Sequence, residues 1–312
     1  MSMVSVVVPF LNEEECLKPF CEFIDLLAHE APFDIEVIFV DDGSTDGSLG
    51  ELKAYQFSDC HRVEVVSFTK NFGSHAAIRA GLQRVTGDYA TFVGVDMDEP
   101  AEMIPRMYDA IKVGVDVVGI DKLTVKTSGV TRAFSKTYSG LIRRYAVKEY
   151  GSGGINNLMF TRKVIEYLNS NVEANSSLQL QVLNAGFRTT IIGMNYRSRI
   201  AGASKWTFAK KMKMFIDSFV AFSYMPIRAV TLVGVLFAVA GVLGALALII
   251  LRFTLPTVAP GYASIAVLLL IGFGVTNISL GIIAEYLWRT YDAARGRPLF
   301  IVDQIDPLAS DS

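Results

Sequence analysis

Five short runs rich in β-branched and aromatic residues punctuate the first 120 positions: "VSVVVP" (4–9), "IEVIFVDD" (35–42), "RVEVVSF" (62–68), "YATFVGVD" (89–96) and "DVVGI" (116–120). The stretches 13–29, 46–55, 74–85 and 101–113 between them read as helices. Strands alternating with helices of this length predict βαβ units, hence an α/β domain over residues 1–204 with a mostly parallel, Rossmann-like sheet and right-handed crossovers. Ligands of such sheets bind beyond the carboxyl ends of the strands, where Pro9, Asp41, Asp42 and Asp96 fall.

The pattern changes after residue 228. Residues 229–251 and 262–284 are two uncharged apolar runs, each long enough to cross a hydrocarbon core of about 30 Å at about 1.5 Å per residue. The connector "RFTLPTVAPG" carries Pro256, Pro260 and Gly261 and reads as a turn, so the runs predict a two-helix transmembrane hairpin. Lys205, Lys210, Lys211, Lys213 and Arg228 precede the first run, and Arg289, Arg295 and Arg297 follow the second, with Arg252 alone between them. The excess of positive charge on cytoplasmic loops then puts both termini, the first domain and a tail of residues 285–312 on the cytoplasmic side of an inner membrane. In segment 205–228, Phe208, Met212, Phe215, Phe219 and Phe222 recur at three- and four-residue steps. That spacing predicts an amphipathic helix lying in the headgroup layer, or alternatively one packed on the domain.

Composition narrows the classes. The chain has 312 residues, of which 51% are hydrophobic, and the surplus sits in the two apolar runs. A net charge of −2 gives no reason to expect a nucleic-acid partner. Cys16, Cys21 and Cys60 have no CxxC spacing, which argues against a disulfide framework or a structural zinc site. The N-terminal "MSMVSVVVPFLNEEE" has no basic stretch before its apolar run and reads as a buried strand rather than a leader. No GxGxxG follows the first strand and no GxxxxGK occurs, which disfavours dinucleotide-dependent oxidoreductases and P-loop enzymes. A carboxylate-lined nucleotide site repels a diphosphate unless a cation joins them, so a divalent metal is expected.

Six segments in order, "SVVVPFLNEEE", "VDDGSTDGS", "KNFGSHAAIRAGLQRVTGD", "VDMDEPAEMIP", "RIAGASK" and "AEYLWRTYDAARGRPLFIV", together with the hairpin, give the chain a resemblance to the inverting family-2 glycosyltransferases of GT-A fold. The resemblance is to the branch holding dolichol-phosphate-mannose synthases and bactoprenol glucosyltransferases. It implies a nucleoside pocket lined by Pro9, Leu11 and Glu13, with Val40, Asp42 and Val95 also at the nucleotide. It implies a Mg²⁺ or Mn²⁺ site at Asp96 and Asp98, and a donor diphosphate held by Arg199 and Lys205, so that Asp96, Asp98, Arg199 and Lys205 form the catalytic set. The "DDGSTDG" segment is also compatible with a plain turn capping a helix through Ser44 or Thr45.

Two departures from the family pattern stand out. Its metal motif is an Asp-x-Asp with Gln two residues on, whereas this chain reads Gly94, Val95, Asp96, Met97, Asp98. The first acid is lost and Asp98 occupies the Gln position. In "YGSGGINNLMFTR", Asn156 and Asn157 stand near the place where bactoprenol glucosyltransferases carry an Asp assigned as base. A phosphate monoester is largely a dianion at neutral pH, its second pKa being about 6, and needs no base, so the asparagines favour a lipid-phosphate acceptor over an alcohol. After the fifth strand, where the family has another basic residue, Lys122 is a weak candidate beside Asp121.

The resemblance therefore implies inverting transfer of one sugar from a nucleotide-sugar, UDP-linked by preference, to polyprenyl phosphate, undecaprenyl phosphate in bacteria, for modification of cell-surface glycans. Alternatives are a GDP-mannose-using mannosyltransferase and a catalytically impaired scaffold. The lipid bilayer is an expected partner, as is a second copy of the chain, since two helices bury little surface by themselves.

Overall fold

The protein is described by a computed structural model covering residues 2–97, 99–122, 155–173, 177–195, parts of 230–246 and 262–310. The elements run β1 (Met3–Phe10), α1 (Glu14–Glu30), β2 (Asp34–Asp41), α2 (Ser48–Ala54), β3 (Arg62–Phe68), α3 (Ser74–Arg84), β4 (Tyr89–Phe92), α4 (Met103–Ile111), β5 (Val117–Lys122), β6 (Ile155–Thr161), α5 (Arg162–Ser170), α6 (Leu178–Asn184), β7 (Thr189–Met194), α7 (Tyr262–Arg295) and β8 (Val302–Ser310). The five sequence-predicted strands and four helices of the first half are present. The fourth strand ends at Phe92, leaving 93–96 to a loop.

All eight strands join one sheet in the order β7-β5-β6-β4-β1-β2-β3-β8. The pairs β1·β2, β1·β4, β2·β3 and β5·β7 are parallel, whereas β4·β6, β5·β6 and β3·β8 are antiparallel. The sheet is thus mixed and mostly parallel. β1 and β2 are buried along almost their whole length because helices cover both faces, which explains why Val, Ile and Phe dominate them. On one face a core joins Leu17, Phe20 and Ile24 of α1 to Met103, Ile104 and Met107 of α4 over the inner strands. The fully buried Glu36 on β2 accepts hydrogen bonds from Ser5, Arg62, Thr86 and the Gly87 amide, locking the strand starts at the end of the sheet away from the site.

Residues 285–312, expected as a tail, do something else. α7 runs on to Arg295, and after a short link β8 pairs antiparallel with β3 from Val302 to Ser310. The chain accordingly divides into one unit of Met1–Ser218 with Pro298–Ser312 and a second of Phe219–Arg297. In the second unit α7 has 34 residues, and its Ile271–Arg295 portion is long and apolar enough to cross a membrane, with none of that stretch buried. It is the one such helix among the described residues. The predicted span 229–251 falls mostly outside them, although 232–237 are helical and exposed. The predicted amphipathic helix 205–228 lies outside the described residues.

Burial raises the Glu36 carboxyl's pKa, but the hydrogen bonds from Ser5, Thr86 and Arg62 outweigh it and hold the group below its ordinary value of 4.5. Its contribution to stability is therefore complete above about pH 4.5 and is lost as pH falls through the lower folded value. Glu36→Gln should cost about 2–4 kcal/mol at neutral pH by leaving Arg62 short of its carboxylate. Thermal unfolding of both proteins across an acid pH series should show the gap closing below about pH 4.5; a gap independent of pH would contradict this account.

Candidate active site

The carboxyl ends of β1, β2, β3 and β4 bring four loops together. The loops after β1 and β2 are joined by backbone-to-side-chain hydrogen bonds. Asn12 N–H donates to Ser44 Oγ (3.0 Å), and Thr45 N–H donates to Asn12 Oδ1 (2.8 Å). Glu13 N–H donates to Ser48 Oγ (2.9 Å), and Gly47 N–H donates to a Glu14 carboxylate oxygen (3.0 Å). Asn12 adopts φ 51°, a left-handed conformation that Asn tolerates better than most residues.

Asp41 ends β2 and Asp42 follows it, both buried, and their carboxylates turn to different tasks. Asp41 Oδ1 accepts from Ser44 N–H (2.8 Å) and forms the turn. Asp42 Oδ1 accepts from Phe72 N–H (2.6 Å), and its Oδ2 accepts from Gly73 N–H (2.9 Å), just ahead of α3. Burial raises the Asp42 pKa, the two amides oppose that, and the Asp41 charge adds to it. The β3–α3 loop crosses directly over Gly43: at its φ of +75°, a Cβ would lie 2.6 Å from the Lys70 carbonyl carbon. The same loop is supported from the far edge. Phe300, just before β8, stacks on Phe68 at 5.1 Å, Phe68 meets Phe72 edge-on at 5.7 Å, and Thr69 N–H donates to the Ile301 carbonyl.

The β4–α4 loop supplies Asp96. A Cβ at Gly94 would lie 2.8 Å from Asp96 Oδ1, so the missing side chain at 94 is the space the Asp96 carboxylate uses. Burial, then Glu13, then Asp96 push the Cys16 thiol pKa up, which puts both carboxylates within electrostatic reach of the start of α1. Met97 has φ 49°, a second non-glycine in left-handed conformation at the site. Beside this loop Phe20, Phe23, Met97, Glu99 and Pro100 line a mainly apolar cavity of about 120 Å³.

The structure thus gathers Pro9, Leu11, Glu13, Asp42 and Asp96 at one end of the sheet. Leu11 and Glu13 are half-buried, while Val40 and Val95 are buried, so those two could reach a nucleotide only through backbone atoms. Asp98, Arg199 and Lys205 lie outside the described residues. Lys122 closes β5. Sequence reasoning did not find the stitching by Asn12, Ser44, Thr45 and Ser48, though an Asn before an acidic helix start is itself a turn signal. Among the described residues no three His, Cys, Asp or Glu side chains converge as a metal cluster.

A family model described as Glycosyl transferase family 2 matches residues 5–167. The chain is 29% identical over 308 residues to an undecaprenyl-phosphate 4-deoxy-4-formamido-L-arabinose transferase of Proteus mirabilis (strain HI4320), across 98% of this chain and 94% of that protein. It is 29% identical over 304 residues to a protein of the same name from Serratia proteamaculans (strain 568), across 97% and 93%. Among solved structures, glucosyl-3-phosphoglycerate synthase from Mycobacterium tuberculosis in complex with Mn²⁺, uridine-diphosphate and glucosyl-3-phosphoglycerate is similar with a TM-score of 0.48 at 16% identity, covering 69% of this chain and 78% of that one.

Gly43→Ala would force the Lys70–Asn71 backbone away and with it the Phe72 and Gly73 amides that Asp42 holds. We expect a loss of about 1–3 kcal/mol in stability. Nucleotide affinity should fall roughly tenfold or more by titration, about 1.4 kcal/mol; unchanged affinity would separate this loop from the nucleotide site.

Proposed function

The chain belongs to glycosyl transferase family 2 and is a glycosyltransferase; from this we propose that it transfers one sugar from a nucleotide-sugar to a polyprenyl phosphate at a membrane surface. The observation that carries the reading is connectivity: the last strand of the catalytic sheet is reached only through a 34-residue helix whose apolar stretch has no cover. A transferase built this way suits an acceptor whose headgroup lies at the bilayer boundary. The names of the curated relatives, which match this chain almost end to end, support an undecaprenyl-phosphate acceptor. A uridine donor remains our preference on family resemblance.

In the mechanism we propose, the acceptor phosphate oxygen attacks the anomeric carbon in line and the nucleoside diphosphate leaves, converting an α-linked donor into a β-linked lipid phosphate sugar. The loops after β1 and β2 hold the nucleoside through Pro9, Leu11 and Glu13, with Val40 and Asp42 at the base or ribose. Arg199 and Lys205 share the charge that develops on the diphosphate, Arg by a bidentate grip and Lys as a point charge. The protein ligand set for a cation is sparse, with Asp96 the one described member, and Asp98 its expected companion. Hard carboxylate oxygens completed by diphosphate oxygens and water fit Mg²⁺ or Mn²⁺. Such an ion would offset the negative charge of the leaving group. Anchoring acceptor and site in one plane contributes to proximity.

Connectivity also supports a topology. One unit holds residues on both sides of 219–297, so the chain must cross a membrane an even number of times between them. With α7 as one crossing, 229–251 supplies the other, and both termini lie with the catalytic unit on the cytoplasmic face.

With purified full-length protein and undecaprenyl phosphate, a panel of nucleotide sugars should yield one β-linked lipid product, abolished by EDTA. Asp96→Asn should lower kcat/KM about 100-fold or more. Full turnover of that variant, or transfer to water alone, would remove the assignment. Cysteine labelling from either side of sealed vesicles should find positions 2 and 312 on the same face; opposite faces would rule out two crossings.

A further inference from the structure

We propose that Asn157 and Glu99 form a matched positioning pair, in which the Asn157 amide fixes the Glu99 carboxylate and the pair together shapes the loop that presents Asp96. The inference rests on the reading of this loop as part of a sugar-transfer site. Asn157 lies on β6, only 4% exposed, and its Nδ2 donates twice: to the Phe92 carbonyl at the end of β4 (2.8 Å) and to Glu99 Oε1 (3.1 Å). Both partners are acceptors only, so the side-chain nitrogen must face them. The same Glu99 oxygen faces the Gly94 N–H at 3.5 Å. The loop is therefore tied where it leaves β4 and again at Glu99, with Asn157 as the common donor.

Within that closure, Asp96 Oδ1 folds back over Gly94, and Met97 is held in its left-handed conformation. Asp96 and Glu99 thus close on the Gly94 backbone from two directions. Glu99 also lines the cavity beside Phe20, Phe23 and Met97, surroundings in which an unanchored carboxylate would be costly. An amide at 157 answers both acceptors. A carboxylate there would face the Phe92 carbonyl and Glu99 with no hydrogen to offer either, two repulsive contacts at hydrogen-bond distance. The identity of residue 157 is thus set by Glu99, and the pair acts on the reaction through Asp96.

The test is a double-mutant cycle in the full-length protein: wild type, Asn157→Asp, Glu99→Gln, and both together. Asn157→Asp should lower kcat about 30-fold or more while KM for the nucleotide sugar stays within about threefold, because what moves is the group acting on the leaving diphosphate. In the double variant the amide introduced at position 99 donates to the carboxylate introduced at position 157, and kcat should rise about fivefold or more above that of Asn157→Asp. Thermal midpoints read the same pair without substrate: the loss caused by Asn157→Asp should be at least halved in the Glu99→Gln background. A double variant no more active than Asn157→Asp, or midpoint losses that simply add, would overturn the pair. A wild-type protein that transfers no sugar to lipid phosphate would overturn the functional reading instead, and the thermal cycle would still decide the pair.

Discussion

The site depends on a buried carboxylate receiving backbone amides. Asp42 stands at the end of a central strand, out of water and next to a second acid, a position that is tolerable only because the Phe72 and Gly73 N–H groups point at it. The requirement works in both directions. The amides ahead of α3 need an acceptor, and the acid needs donors, so the β3–α3 loop is pulled over Gly43 until no side chain fits there. From this node the remaining contacts follow: Asp41 turns the next loop, Ser44, Thr45 and Ser48 reach Asn12 and Glu13, and the β1–α1 loop is set against Asp96.

Much of this was legible in the sequence, and the reason is burial on both faces. The runs at β1, β2 and β3 are buried along nearly their whole length, so they read as Val- and Ile-rich segments, and the acids at the end of β2 and after β4 mark the ligand side. The strands that escaped notice lack that signature. β6 carries two asparagines near its start, β7 is only partly buried, and β8 at the sheet edge carries Asp303, Asp306 and Pro307 among its apolar residues. Edge strands are allowed charge and proline, and the pairing of β8 with β3 joins segments far apart in the sequence, a contact that no local pattern encodes. The site was legible at the level of which loops matter. The division of labour between Asp41 and Asp42 was not, because it depends on where amides from another loop arrive. Asn157 likewise reads as a lost acid in the sequence, and the structure shows it as a donor with two acceptors.

Placement of β8 changes how the C-terminal third of the chain is understood. Lys53 of α2 pairs with Asp306 of β8, and Phe300 stacks on Phe68, so residues beyond the long helix belong to the same packed unit as the loops of the candidate site. A strand docked on the β3 edge also satisfies backbone groups that would otherwise invite pairing with another chain.

The proposed lipid-phosphate acceptor calls for a soluble site held at a boundary, and a flexible tether would leave the separation to chance. Here the chain leaves the catalytic unit near residue 218 and returns to it by residue 298, giving the apolar segment two covalent attachments to one folded body. The second attachment is not a loose end. It runs within a few residues into Phe300, whose ring reaches Phe72 through Phe68, and the Phe72 amide is one of the donors that Asp42 requires. Within the catalytic unit, the segment that follows the helix is thus packed against the β3–α3 loop. On the proposed reading, the return from the apolar segment and the candidate site meet at one loop, in a sheet that takes its last strand from the far side of that segment.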